Sequence, residues 1–406
     1  MVLAFKYNFT KQVHGWERKG NLKNFNFKSP TQIVFGKGTI AKLDELIPQD
    51  QKILMTYGGG SIFKNGVYNQ VKAALGDRIV VEFGGIEANP TYETLMNAVD
   101  LVKKEKVDFL LAVGGGSVLD GTKFIAAAVL FEGDDPWDLL KKHAPVKNAL
   151  PLASVLTLPA TGSEMNSGSV ISRKSTQEKL SFGDWKLAPQ FSILDPETTY
   201  SLPKNQIRNG IVDSFIHVME QYLTYSVNTP LQDRQAEAIL KTLVEEADSI
   251  LAEPADYDAR ATYMWSATNA LNGTLSCGVV TDWATHVIGH EITAFYGLAH
   301  AETLAIVYPA LMRYKKEQKR EKIQQYAKRV FDLCELPGHD LVEEAIRATE
   351  TFFHRIGMPT KLSDYGISAQ EAAEKIRDRF IERGTKMGEH RDIFPEDVYK
   401  ILLDAA

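Results

Sequence analysis

Along the first half of the chain, apolar residues gather in short runs closed by glycine or polar turn residues. Between these runs lie stretches whose apolar positions recur every three or four residues. The runs Lys52–Tyr57, Arg78–Phe83 and Asp108–Val113 read as strands, with further strands at Leu152–Leu158 and Phe191–Leu194. Helical periods run up to Leu75, from Tyr92 to Lys106 and from Val118 to Leu130. Strands separated by helices imply right-handed crossovers and a parallel sheet covered on both faces. Upstream, Asn24–Phe35 alternates apolar residues as a strand at a sheet edge would.

Beyond Leu202-Pro203 the texture changes to almost continuous helix-period sequence with few β-branched clusters. The segments are Asn205–Thr224, Gln232–Ala252, Ala259–Asn272, Thr281–Phe295, Glu302–Leu333, Leu341–Ile356, Ala369–Arg383 and Pro395–Ala405. The expected organisation is a flexible N-terminal extension over residues 1–20, an α/β domain over 21–202 and an all-helical domain over 203–406. A cleft between two such domains is the expected place for chemistry.

Composition narrows the classes. At 44% hydrophobic and 24% charged, the chain matches an ordinary globular protein. Its net charge of −6 is spread out with no Lys/Arg stripe, which argues against nucleic acid as a partner. Cys277 and Cys334 make neither a disulfide framework nor a C-x-x-C pair, as expected of a cytoplasmic protein. No stretch approaches the ~20 apolar residues of a membrane span. Met1–Gly20 lacks the uninterrupted apolar core of a secretory signal.

Two strand–glycine–helix junctions stand out: Gly58-Gly59-Gly60-Ser61 and Gly114-Gly115-Gly116-Ser117. Glycine lets backbone N–H groups approach a phosphate, and a helix N-terminus adds partial positive charge. One such turn could be only a tight connection; two in one domain point to a phosphate-bearing ligand. Neither common fingerprint fits. G-x-G-x-x-G would need glycine where Phe63 and Leu119 stand, and Gly116–Lys123 puts hydroxyl and lysine in the wrong order for a Walker loop.

Three of the nine histidines fall close together: His286, His290 and His300. The first two lie four apart, on one face of a helix. Asp213 and His217 share that spacing on a helix otherwise apolar at Ile211, Val212, Phe215 and Ile216. A carboxylate on an apolar helix is costly to bury unless it is paired or metal-bound. Imidazole with carboxylate suits a borderline cation, Zn²⁺ or Fe²⁺. H-E-x-x-H is excluded, because Ala294 stands where the second histidine would be.

With these residues in view, the chain from about Asn24 to Ala405 resembles the iron-containing (group III) alcohol dehydrogenases, in their NADPH-dependent aldehyde reductase and butanol dehydrogenase branch. The likeness rests on Pro30-Thr31, Phe35–Gly38, Gly114–Asp120, Leu158–Glu164, Asn209–His217 and the H-x3-H-x9-H pattern within Asp282–His300. It implies a Rossmann-like nucleotide-binding domain followed by an all-α metal-binding domain, the fold shared with dehydroquinate synthase. It further implies that Asp213, His217, His286 and His300 are metal ligands, with His290 a catalytic histidine beside substrate and nicotinamide. Gly115, Gly116 and Ser117 correspond to a pyrophosphate cradle, and Asp120 to a catalytic position at the nicotinamide end. Thr157, Thr161 and Lys179 correspond to further cofactor contacts. The implied reaction is reversible hydride transfer reducing short- to medium-chain aldehydes, with the carbonyl oxygen on the metal. A homodimer, paired through Asn24–Phe35, is implied as well.

One position departs from the NAD-using members, which carry an acidic residue at the end of the first strand. Here Gly58 stands there, followed by Gly59, Gly60 and Ser61. Losing the carboxylate removes repulsion against a 2′-phosphate, to which N–H groups and the Ser61 hydroxyl can donate, with Lys64 adding charge. NADP(H) is the expected cofactor. The rival is a metal- and NAD-dependent lyase of the dehydroquinate synthase type. Its polyanionic substrate would demand a cleft rich in Lys and Arg, whereas the ligand-bearing helices offer Ile, Val, Phe, Tyr and Trp283.

Overall fold

The computed structural model describes residues 20–406. The expected N-terminal extension therefore falls, but for Gly20, outside the described residues. Eight strands occur in chain order: β1 (Gln32–Phe35), β2 (Ile53–Tyr57), β3 (Val80–Phe83), β4 (Phe109–Gly115), β5 (Leu152–Leu158), β6 (Gly168–Arg173), β7 (Glu178–Gly183) and β8 (Phe191–Leu194). Six of them make one parallel sheet in the order β1-β8-β5-β4-β2-β3.

The two-residue period of a strand sends alternate side chains into two cores. Leu54, Leu110, Ala112 and Leu152 pack with Leu95, Val99 and Phe124 of the helices Tyr92–Glu105 and Gly116–Ala128. Ile53, Met55, Leu111, Val113 and Val155 pack on the other face with Val67, Val71 and Leu75 of the helix Val67–Leu75. Both faces are covered, so the strands read as continuous apolar runs.

The chain passes from β2 out to β3 and then back across β2 to β4. The C-terminal ends of β2 and β4 therefore flank a topological switch point, where open α/β sheets bind ligands. Both glycine turns lie there. At the second, β4 continues to Gly115 and the helix begins at Gly116, closer than the strand end at Val113 and helix start at Val118 that the pattern suggested.

Helices account for the regular structure after the sheet: Lys204–Tyr222, Pro230–Leu251, Tyr257–Ala270, Ala284–Tyr296, His300–Lys315, Arg320–Val330, Leu341–Arg355, Ala369–Arg383 and Pro395–Asp404. The continuous helix expected over Glu302–Leu333 is broken after Lys315. Lys319 turns inward there, donating to the Leu223 carbonyl and to Asp282 Oδ2, both at 2.7 Å. The antiparallel hairpin β6–β7 does not follow the hydrophobic pattern: Ser169 is buried in β6, and the adjacent Glu178 and Lys179 are both buried in β7.

Candidate active site

One cavity of about 1160 Å³ separates the sheet from the helices, and it is lined by both glycine turns, Thr157, Thr161, Lys179, Asp213 and four histidines. At the second turn, glycine is demanded by close packing. A Cβ on Gly116 would collide with the Thr161 side chain, and one on Gly115 would stand 2.9 Å from Leu158 Cβ. The first-turn N–H groups of the helix Gly116–Ala128 are left without helical acceptors at the cavity wall. The first turn differs. Gly60 has φ of 92°, which disfavours any side chain, whereas Gly59 meets nothing within 4 Å.

The remaining cofactor candidates fall on the same wall. The Ser117 hydroxyl donates to the Ala88 carbonyl, so what it offers the cavity is its backbone. Ser61 is exposed and lines the cavity; Lys64 is exposed but lies outside the lining, so the charge expected from it is not at the wall. Thr161 Oγ1 accepts from the Ser163 N–H at 3.2 Å. Asp120 is held by its own domain: Oδ1 accepts from Ser163 Oγ at 2.7 Å and Oδ2 from the Val170 N–H at 3.0 Å. Burial pushes its pKa up, against the pull of Lys123. Lys179, on the unforeseen hairpin, donates to Asn89 Oδ1 at 3.0 Å, and burial lowers it to about 8.

Across the cavity, the helix Lys204–Tyr222 presents Asp213 and His217 one turn apart. Asp213 Oδ1 lies 3.6 Å from His217 Nε2 and 3.7 Å from His300 Nε2. Ligand atoms of Asp213, His286 and His300 all lie within 4.8 Å of one another. The His217 and His286 rings stack at 4.8 Å between centroids, and His290 stands 5.2 Å from His300. All five predicted residues are thus brought together.

Asp213 Oδ1 and His286 Nε2 are buried without a hydrogen-bond partner. Convergent buried polar atoms left unpaired need a further partner, and one carboxylate with several imidazoles is a donor set for a borderline divalent cation. Burial drives His217 and His286 down to about 4 and His300 well below the usual range, favouring the neutral, metal-binding form.

Three residues at the site escaped sequence reasoning. Glu220 Oε1 accepts from the His286 backbone N–H at 3.2 Å and lies 3.4 Å from His286 Nδ1. Its spacing from Asp213 and His217, at i+7 and i+3, was a legible signal of a shared helix face. Lys319 and Glu389 carried no such signal; their side chains meet at 3.5 Å behind the site. The apolar surface also differs from expectation, because Ile211, Phe215, Ile288 and Ile292 point into cores. Trp283 and Val287 line the cavity beside the histidines, with Leu271 and Met165 opposite. Among described residues the lining carries Lys28 and Lys179 but no arginine.

A parallel sheet with glycine turns at its switch point, facing a carboxylate–imidazole cluster across one cavity, is the arrangement of a metal-dependent dehydrogenase. The chain belongs to the iron-containing alcohol dehydrogenase family. Residues 30–196 match the model "Iron-containing alcohol dehydrogenase", and residues 208–406 match "Fe-containing alcohol dehydrogenase family, C-terminal". The chain is 53% identical to the NADPH-dependent aldehyde reductase YqhD of Escherichia coli K12, across 95% of its length and 100% of that protein. The crystal structure of YqhD superposes with a TM-score of 0.93 at 52% identity, covering 96% of this chain and 100% of that one. This chain is also 43% identical to a probable NADH-dependent butanol dehydrogenase of Bacillus subtilis strain 168, over 94% of this chain and 99% of that protein. The protein is therefore an oxidoreductase.

Proposed function

We propose that the protein reduces short- to medium-chain aldehydes to alcohols, reversibly, using NADPH and one divalent cation, Fe²⁺ or Zn²⁺, per chain. The observation that carries this reading is the cavity joining the glycine-turn wall to the Asp213–histidine cluster. Full-length similarity to an NADPH-dependent aldehyde reductase supports it.

When bound, the cation would supply Lewis acidity and the reduced nicotinamide a hydride. Asp213, His217, His286 and His300 are the residues to hold the cation. The N–H groups of Gly115, Gly116 and Ser117 would hold the pyrophosphate, Thr157 and Thr161 would make further cofactor contacts, and Lys179 would reach the ribose. Gly58, Gly59, Gly60 and Ser61 would receive the 2′-phosphate. Asp120 acts by holding the 163–170 segment in place through Ser163 and Val170. His290 Nε2 is buried without a partner, and burial holds this imidazole neutral. It is suited to pass a proton to the product oxygen rather than to store one. Trp283 and Val287 exclude water beside an apolar substrate.

A polyanionic substrate, as for the lyase reading, would meet too few cations in this lining. The two unpaired cysteines agree with a cytoplasmic setting. No helix among the described residues is long and apolar enough to cross a membrane. The test is turnover of an aldehyde panel with NADPH and NADH, on metal-stripped protein refilled with each cation. His286→Ala should abolish turnover and cut bound metal well below one per chain. Full occupancy in that variant would defeat the metal assignment.

A further inference from the structure

We infer that Glu220 is a positioning residue for the metal centre, fixing the ring of His286 and clamping the start of the helix that carries it. The Glu220 side chain is 1% exposed, on the same helix face as Asp213 and His217. Its Oε1 accepts from the His286 backbone N–H at 3.2 Å and faces ring Nδ1 at 3.4 Å. A proton held on Nδ1 by this carboxylate leaves Nε2 with its lone pair free, and Nε2 is the atom buried without a partner. A carboxylate behind a ligating imidazole fixes its tautomer and orientation and raises its basicity.

The surrounding contacts keep Glu220 itself in place. Its backbone carbonyl accepts from the Asp282 N–H at 2.9 Å, and Asp282 Oδ1 caps the Ala284 N–H at 3.0 Å. Lys319 Nζ holds Asp282 Oδ2 at 2.7 Å and lies 3.5 Å from Glu389. Between these anchors Trp283 sits at φ 67°, a left-handed conformation that a tryptophan keeps only when its surroundings impose it. The Trp283 ring packs edge-on against His286 at 5.1 Å, so the anchored turn and the ligand ring move together. Behind Glu220 a cavity of about 20 Å³, lined by Asp282, Thr285, Tyr308 and Lys319, has room for one water. Tyr308 Oη has no protein partner there and can bond such a water.

The inference rests on the metal-site reading, and the test separates the two. Zn²⁺ affinity is measured by chelator competition on metal-stripped parent, Glu220→Gln and Glu220→Ala. Near-UV circular dichroism and the apo melting temperature check the fold, and the visible spectrum of Co²⁺-loaded protein reports ligand geometry. Glu220→Gln, which still accepts from the backbone N–H, should bind Zn²⁺ roughly tenfold more weakly, and Glu220→Ala up to about a hundredfold, with a shifted Co²⁺ spectrum. Folded variants with the parent's affinity and spectrum would overturn the inference and leave Glu220 a helix cap. If Glu220→Ala does not fold, the glutamine variant decides alone. A parent that binds no Zn²⁺ or Co²⁺ would instead overturn the metal site.

Discussion

Glycine does different work at the two turns. Gly115 and Gly116 let a helix pack directly onto Leu158 and Thr161, so substitution there disturbs the fold before any ligand arrives. Gly59 leaves space and Gly58 nearly does, and that is where cofactor choice can be tested. A Cβ at Gly58 would stand 3.3 Å from the Ile86 carbonyl, a contact the loop can relieve by a few tenths of an ångström. Two charge-assisted bonds to a 2′-phosphate predict on the order of a hundredfold preference for NADPH. Gly58→Asp should repel that phosphate and accept from the free ribose hydroxyls of NADH, reversing the ratio of kcat/KM for the two cofactors. A parent that already prefers NADH would reduce this turn to a turn. Lys179 makes a second test. Burial lowers it from 10.5 to about 8, so between those values the unfolded chain holds the extra proton and folding stability rises with pH. Cofactor affinity should move the other way. Lys179 is charged below about 8, so NADPH binding by fluorescence titration should weaken as pH rises through 8, and Lys179→Met should flatten that dependence.

At the scale of elements, the metal cluster depends on how tightly the helix Lys204–Tyr222 lies against the end of β5. Gly210 makes that approach possible: a Cβ there would run into Tyr263 Oη and the Pro159 carbonyl, which are hydrogen-bonded to each other. Asp213 follows within one turn. Gly210→Ala should cost about 1–3 kcal/mol by overpacking, read from the urea midpoint, and should also lower metal occupancy by displacing Asp213. A variant with unchanged stability and full metal would show that the backbone yields there at no cost. The hairpin β6–β7 is docked by charge. Glu291, next to His290 in sequence, binds Arg379 at 2.7 Å and also pairs with Arg383, which reaches Glu178 at 3.5 Å. That network ties the strand bearing Lys179 to the helix bearing the histidines. None of it could be read from spacing, because the partners are 88 to 205 residues apart.

For the whole molecule, the free edge of the sheet bears on assembly. Among the described residues β1 has β8 as its one strand neighbour, at the end of the sheet order. Phe35, at the end of β1, is 39% exposed, and Phe25 and Phe27, which precede the strand in the chain, are 54% and 44% exposed. An unpaired edge flanked by exposed aromatics is a template for pairing with another chain. Sedimentation should therefore show a homodimer at micromolar concentration; monomer alone would contradict the edge pairing.

The sequence by itself determined five of the six strands of the parallel sheet, β2, β3, β4, β5 and β8, the start of the helical half near residue 203 and the residues gathered at the cluster. These rest on local causes: period-2 and period-3.6 burial, glycine at strand ends, and i,i+4 spacing of Asp213–His217 and His286–His290. Only the tertiary structure decided which atoms meet. It brought Glu220 to His286 and Lys319 to Asp282, broke the long helix after Lys315, and folded the hairpin that carries Lys179 over the cavity. It also sent Ile211 and Ile288 into cores rather than to the substrate. A buried charge shows in the sequence only as a polar residue on an apolar face. Its partner is chosen by how distant elements pack, because burial is what makes the pairing necessary.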